Sequence, residues 1–276
     1  MSDADTGLIE ALRLQWEWGA DEALLESPQD RRHAAPAVVP PSAPPKPSAP
    51  PAAAARPRAP SLPPPPGDAA KLAASCHDLE ALRAAMAGFT GCALRDTATQ
   101  LVFADGAPDA RLMVIGEAPG SEEDRIGKPF VGPAGQLLDR MLGSIGLDRR
   151  TARIANVVPW RPPGNRTPTD SEIAICLPFL RRQIALVRPR GLLLLGAVAA
   201  KALLASPERD QGIGRLRGTW RPVTIDGLDA PLPALPTFHP AYLLRMPAAK
   251  AQAWRDLLAL RQWLETEDQP TKITSL

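Results

Sequence analysis

The amino-acid sequence predicts an α/β protein, a three-layer α/β/α sandwich around a central four-stranded parallel sheet. Two observations lead there. Four short apolar runs, Arg111–Ile115, Arg153–Val158, Gly191–Leu195 and Leu232–Thr237, alternate with segments of helical period, and alternating strands and helices pair into a parallel sheet covered on both faces. The three segments richest in chemistry, 116–132, 159–168 and 238–247, each follow the carboxyl end of one of these strands. Ligands of open parallel sheets bind at that edge.

The chain has 276 residues and 33 prolines, unevenly spread. Fifteen prolines lie between Pro28 and Gly67 among ten alanines. Such a stretch buries too little surface to offset the ordering of its backbone, so 28–68 reads as a Pro/Ala-rich disordered linker. Before it, residues 1–27 hold an amphipathic helix, Leu8–Leu25, with Leu8, Leu12, Trp16 and Leu24 or Leu25 near helical spacing. That helix docks on the globular domain, binds a protein partner at the end of its tether, or forms a loose tail. Residues 69–276 are expected to form one globular domain.

Within that domain the elements follow in order. A helix spans Leu72–Met86 and is ended by Gly88; the strand Arg111–Ile115 follows. A helix over Ala134–Ile145, closed by Gly146, precedes the strand Arg153–Val158 and the Pro/Gly-rich loop PWRPPGNRTP. Thr169 and Glu172 have capping-box spacing for a long helix ending near Val187, before Pro189. The apolar strand Gly191–Leu195 feeds a helix over Ala197–Leu204, and the strand Leu232–Thr237 precedes a last helix over Ala248–Trp263.

Composition excludes several classes. The net charge of +2 permits nucleic-acid binding without arguing for it. Three scattered cysteines, Cys76, Cys92 and Cys176, do not form a disulfide framework. The N-terminus has no signal-peptide pattern, and the longest strongly apolar run, Gly191–Ala200, is half of what a membrane span needs. A soluble, cytoplasmic protein with no membrane partner is expected.

The first loop, Gly116-Glu-Ala-Pro-Gly-Ser-Glu-Glu-Asp124, carries four carboxylates and lacks the Lys-Ser/Thr of a phosphate-binding loop. Its carboxylates orient water, bind a metal or face solvent. Phe130, in a run of small residues, either stacks on a planar base or fills core. Asn156, at the end of the second strand, both donates and accepts, which suits the edge of an amide-like ring; a structural turn amide is the alternative. His239 follows the last strand, away from His33 and His77, which excludes a histidine-rich metal site. Leu243 and Leu244 make an apolar tip backed by Arg245, a pattern that wedges into a base stack while the cation binds phosphate. Lys128, Arg161 and Arg166 add positive charge on neighbouring loops.

GEAPG with ExxGKPFVGPAG, then ANVVPWRPPGNRTP, then FHPAYLLR stand in one order over about Phe89 to Leu258. In this order and spacing they resemble the family 4 uracil-DNA glycosylases, so the fold expected is uracil-DNA glycosylase-like. The resemblance implies release of uracil from double- or single-stranded DNA by a monomer in base excision repair. It implies a uracil pocket of Ala118, Phe130, Asn156 and His239, with Phe130 stacking on the flipped base. Asn156 would bind the base's edge and His239 would face O2. Glu117 and Glu123 would be the carboxylates near the sugar and the attacking water. Ala118 stands where classical uracil glycosylases keep a water-activating Asp, which leaves no single general base. Leu243, Leu244 and Arg245 would enter the duplex, and Lys128, Arg161 and Arg166 would bind its backbone. Related glycosylases for other deaminated or mismatched bases, and a non-catalytic DNA-binding repair protein, are the alternatives.

The family carries a [4Fe–4S] cluster on four cysteines, and the corresponding positions here are Phe89, Cys92, Trp160 and Cys176. Two thiolates do not hold a cubane that needs four. The resemblance is therefore to a branch without the cluster, with no metal and no cofactor expected. A related branch links covalently to DNA through a histidine after the first strand; 116–135 contains no histidine.

Overall fold

A computed structural model describes residues 66–206 and 208–266. The chain divides into two units, Met1–Arg58 and Ala59–Leu276. The N-terminal amphipathic helix and nearly all of the linker lie outside the described residues.

Two helices replace the single one expected over Leu72–Met86. They are α1 (Pro66–Ala74) and α2 (Leu79–Gly88). The break falls at Asp78, whose Oδ1 accepts from the Ala81 N–H at 2.7 Å and caps α2. A short α3 (Leu94–Thr97) leads to β1 (Asp105–Gly106) and β2 (Leu112–Gly116). After α4 (Ser121–Ile126) and α5 (Pro133–Gly143) come β3 (Ala152–Asn156) and the long α6 (Asp170–Val187). Thr169 and Glu172 form the capping box of α6. Next are β4 (Gly191–Leu195), α7 (Gly196–Leu203), α8 (Ile213–Leu216) and β5 (Arg221–Val223). The described part closes with β6 (Leu232–Thr237), α9 (Pro240–Arg245) and α10 (Lys250–Glu265).

The sheet is mixed and six-stranded, in the order β1-β3-β2-β4-β6-β5, which corrects the expectation of four parallel strands. The four strands read from the sequence pair in parallel at its centre, while β1 and β5 add on antiparallel at the edges. The edge strands escape sequence reading because they have two and three residues, too few to show a period of two, and β5 contains Pro222.

Side-chain alternation divides the core into two layers. Met113 and Ile115 of β2 and Leu192 and Leu194 of β4 face the cluster that includes α1, α2, α6 and α7. Leu112 and Val114, with Leu193 and Leu195, face the cluster built with α5, α9 and α10. Successive residues of a strand point to opposite faces, so strands apolar throughout are buried on both. Among the described residues no helix is long and apolar enough to cross a membrane.

Candidate active site

A cavity of about 440 Å³ opens at the carboxyl edge of β2, β3 and β6. Its lining includes Glu117, Ala118, Glu123, Phe130, Asn156, Arg166, Thr167, His239, Tyr242 and Arg245. Thus the pocket residues expected from the sequence come together, although they lie as far apart as 117 and 245. Arg161, Lys128, Leu243 and Leu244 are not part of this lining.

The floor is built where β2 and β3 end. Gly116 is obligatory there, because a Cβ on it would stand 2.5 Å from both Asn156 Oδ1 and Phe130 Cζ. Asn156 is 6% exposed and its Oδ1 has no hydrogen-bond partner. Buried polar groups are nearly always paired, and Asn156 lines the cavity, which makes its amide a candidate to meet a ligand.

Phe130 forms one wall. It is 4% exposed and has a left-handed backbone, φ 54°, which a bulky residue adopts only when its surroundings enforce it. Gly135 in α5 belongs to the same device: a Cβ there would overlap the Phe130 carbonyl. Glu123 braces the loop from inside. Its Oε1 accepts from the Val131 and Gly132 N–H groups at 2.9 Å each, and its Oε2 from the Gly120 N–H at 3.0 Å.

The four carboxylates of the first loop therefore have different fates. Glu123 is occupied by three backbone donors. Asp124 is buried and accepts from Thr99 N–H at 2.8 Å and Gln100 N–H at 3.1 Å. Glu122 faces solvent beside Arg125, 2.7 Å away. Only Glu117 faces the cavity without a backbone partner of this kind. Burial raises its pKa above the ordinary carboxylate range, opposed by the Thr167 hydroxyl and the positive charge of Arg245. This loop also contains a helix, α4, where the sequence suggested irregular structure throughout.

His239 lines the cavity beside Phe130, the two rings tilted by 31° with centroids 5.5 Å apart. It is the N-cap of α9, with Pro240 at the first helical position. Its Nδ1 accepts from the Ala241 N–H at 3.1 Å. An accepting Nδ1 leaves the proton of the neutral ring on Nε2. Desolvation, reinforced by the charge of Arg245 and opposed by Glu123, pushes the His239 pKa down to about 4. At neutral pH the ring is uncharged and a donor through Nε2. Behind it, Thr237 Oγ1 donates to the buried Asp256 at 2.6 Å, and Arg217 Nε donates to the same carboxylate at 3.0 Å while lying over the Phe238 ring.

The expected apolar tip needs correction. Residues 240–245 are helical, and helical phase turns Leu243 inward, where it is 1% exposed and packed in the core. Leu244 at 40%, Tyr242 at 36% and Met246 at 49% are the exposed members, beside Arg245. The flanking cations differ as well. Arg166 donates to Glu172 through Nη1 and Nη2, at 2.8 and 2.6 Å, and Arg161 donates to Asn165 Oδ1 at 2.6 Å. Lys128 is exposed, 3.7 Å from Asp105. Sequence reading missed Thr167 and Tyr242 in the lining. The His-Pro pair at a helix start was the available signal for Tyr242.

The positions matching the cluster cysteines are occupied by a mixed set of side chains. Phe89, Cys92, Trp160 and Cys176 are all buried in one core layer, and Phe89 packs edge-on against Phe179 with centroids 5.0 Å apart. Cys176 and Cys92 face each other at 4.0 Å between sulfurs. Two thiols and two rings do not fit a cluster that needs four thiolates. Among the described residues no group of three or more His, Cys, Asp or Glu is placed to hold a metal ion.

Residues 103–258 match the model of the Uracil DNA glycosylase superfamily. A Type-4 uracil-DNA glycosylase of Pyrobaculum aerophilum is 39% identical over 181 residues, covering 65% of this chain and 91% of that protein. One of Thermotoga maritima is 42% identical over 156 residues, covering 56% and 78%. A Type-5 enzyme of Pyrobaculum aerophilum is 35% identical over 114 residues, 36% of this chain and 50% of its own. With the matched region spanning the whole carboxyl edge of the sheet, the chain belongs to the Uracil DNA glycosylase superfamily.

Proposed function

We propose that this chain is a monofunctional uracil-DNA glycosylase that hydrolyses the C1′–N1 bond of deoxyuridine, releases uracil and leaves an abasic site for base excision repair. The observation that carries the reading is the unpartnered Asn156 Oδ1, buried at the floor of a cavity walled by Phe130 and His239. Uracil presents an N–H and carbonyls on the edge such an amide would meet, and its flat ring suits the Phe130 wall.

As C1′–N1 breaks, negative charge grows on the base and positive charge on the sugar. A preorganised neutral donor stabilises the departing uracil anion without any proton having to be lost, and His239 Nε2 has that character. Glu117 is the carboxylate suited to the oxocarbenium-like sugar and to accepting a proton from the attacking water, since burial makes it more basic. Glu123 acts as a positioning residue, because three backbone N–H groups engage its oxygens. Ala118 gives the base a small, non-ionisable neighbour. No lysine lines the cavity among the described residues, which favours hydrolysis over a Schiff base.

Residues 69–276 would carry catalysis as a monomer, on double- or single-stranded DNA. Tyr242, Leu244 and Met246 would wedge into the stack, with Arg245, Lys128, Arg161 and Arg166 near phosphates. The test is a strand-scission assay on U·G, U·A, T·G and hypoxanthine duplexes, with alkali to reveal abasic sites. Scission of uracil strands only, and only after alkali, is expected. No scission of any strand would refute the enzyme, and scission without alkali would refute the monofunctional reading.

A further inference from the structure

Phe130 is held in place by a residue that does not line the cavity. Its left-handed backbone turns the carbonyls of Pro129 and Phe130 toward one guanidinium, that of Arg149. Nη1 donates to Pro129 O at 3.0 Å and Nη2 donates to Phe130 O. The same guanidinium is fixed from the far side, Nη1 to Asp105 Oδ2 at 2.8 Å on β1 and Nε to Asp139 Oδ1 at 2.9 Å on α5. Arg149 is about three-quarters buried, and its turn is pinned by Asp148 Oδ1, which accepts from the Arg150 and Thr151 N–H groups at 2.8 and 3.1 Å. Across the loop, Gly135 leaves the Phe130 carbonyl no room to withdraw. The carbonyl is therefore trapped between α5 and a forked donor, and the ring it carries reaches Gly116 and Asn156. A lysine offers one point charge and not a fork.

We propose that Arg149 is a positioning residue for base recognition: by holding the carbonyls of Pro129 and Phe130 it sets how far the Phe130 ring stands from Asn156, and hence the slot a flipped pyrimidine enters. The inference rests on the function proposed above. Displacement of a binding group by about an ångström is enough to lower a rate up to about a hundredfold.

The test is a double-mutant cycle on the full chain, measuring single-turnover uracil release from a U·G duplex by the unaltered protein, Arg149→Met, Phe130→Ala and the double variant. Arg149→Met is expected to slow release at least about tenfold, and the double variant to match Phe130→Ala within about twofold, since residues acting through one another are non-additive. Losses that multiply would overturn the proposal. Arg149→Lys, which retains charge toward Asp105 and Asp139, is expected to melt close to the unaltered protein and still release uracil slowly; full activity would overturn the fork. The salt dependence of DNA binding is expected to be unchanged in both variants, and a reduced slope would mark Arg149 as a phosphate contact instead. Hydrogen exchange at the Val131 and Gly132 amides supplies a readout apart from activity. Faster exchange in Arg149→Met is expected, and unchanged exchange would overturn the proposal. If the unaltered protein releases no uracil, the functional reading fails while exchange still decides whether Arg149 holds the loop.

Discussion

The Phe130 and His239 walls adjoin, their ring centroids 5.5 Å apart, yet they are held by different means. Phe130 sits on a strained, left-handed backbone kept in place by Glu123, Arg149 and the bare α-carbon of Gly135. His239 sits on ordinary backbone, φ −67°, at the start of a helix, and its Nδ1 is spent on the cap. One wall depends on conformation enforced from outside, the other on local helix chemistry. A wall of the first kind fails through backbone changes at remote positions. A wall of the second kind responds mainly to changes in its own side chain.

The largest expected effect breaks the first wall. Gly135→Ala places a methyl against the Phe130 carbonyl, and uracil release should fall by about a hundredfold with about 2 kcal/mol of stability lost. Single-turnover kinetics and thermal unfolding check both. A change beside the second wall, Gly196→Ala, meets the His239 Cβ at 3.1 Å and strains a left-handed backbone, φ 87°; it should cost about 1 kcal/mol of stability but less activity than Gly135→Ala.

Next come the two carboxylates. Glu117→Gln should slow release at least about tenfold while leaving the melting temperature unchanged or higher, since it removes a partly desolvated charge. Glu123→Gln should do the reverse in emphasis. It turns one acceptor oxygen into a donor, leaves a backbone N–H unpaired and costs about 1–2 kcal/mol. If the melting effects were exchanged, the distinction between reacting and positioning carboxylates would be lost.

A smaller effect separates neighbours on α9. Leu243→Ala should destabilise by about 3 kcal/mol by opening a core cavity. Leu244→Ala should leave stability within about 0.5 kcal/mol and lower duplex affinity several-fold. Urea unfolding and duplex titration distinguish them.

The mildest concerns pH. The folded pKa of His239, about 4, lies below the ordinary 6.5. Between these values the unfolded chain takes up a proton that the folded chain refuses, so this contribution is full above pH 6.5 and is lost as pH falls toward 4. About 2 kcal/mol should be lost over that window, and His239→Gln should lose less, by thermal unfolding at pH 7 and 4.5. A loss equal to that of the unaltered protein would contradict the depressed pKa.

The difference between the walls also governs what could be read in the sequence. The four central strands and the α6 cap were legible because both obey short-range rules, alternation and capping spacing. That Asn156 and His239 line the cavity was legible because one ends a strand and the other lies just past one. Arg149 was not, since its role comes from carbonyls twenty residues away, positioned by a φ that no local pattern announces. Leu243 was misread as exposed because residues 238–247 looked like a loop; in helical phase the inward side becomes plain. Glu117 and Glu123 look alike in sequence, and only tertiary geometry gives one to the cavity and the other to the backbone.

The most direct measurement is single-turnover release of free uracil from a U·G duplex at neutral pH by the unaltered protein, Asn156→Ala and His239→Ala. The unaltered protein should release uracil and leave an alkali-labile strand, and each variant should be at least about tenfold slower, with His239→Ala also losing about 1 kcal/mol of stability through its lost cap. Absence of release by the unaltered protein, or equal rates in all three, would contradict the account.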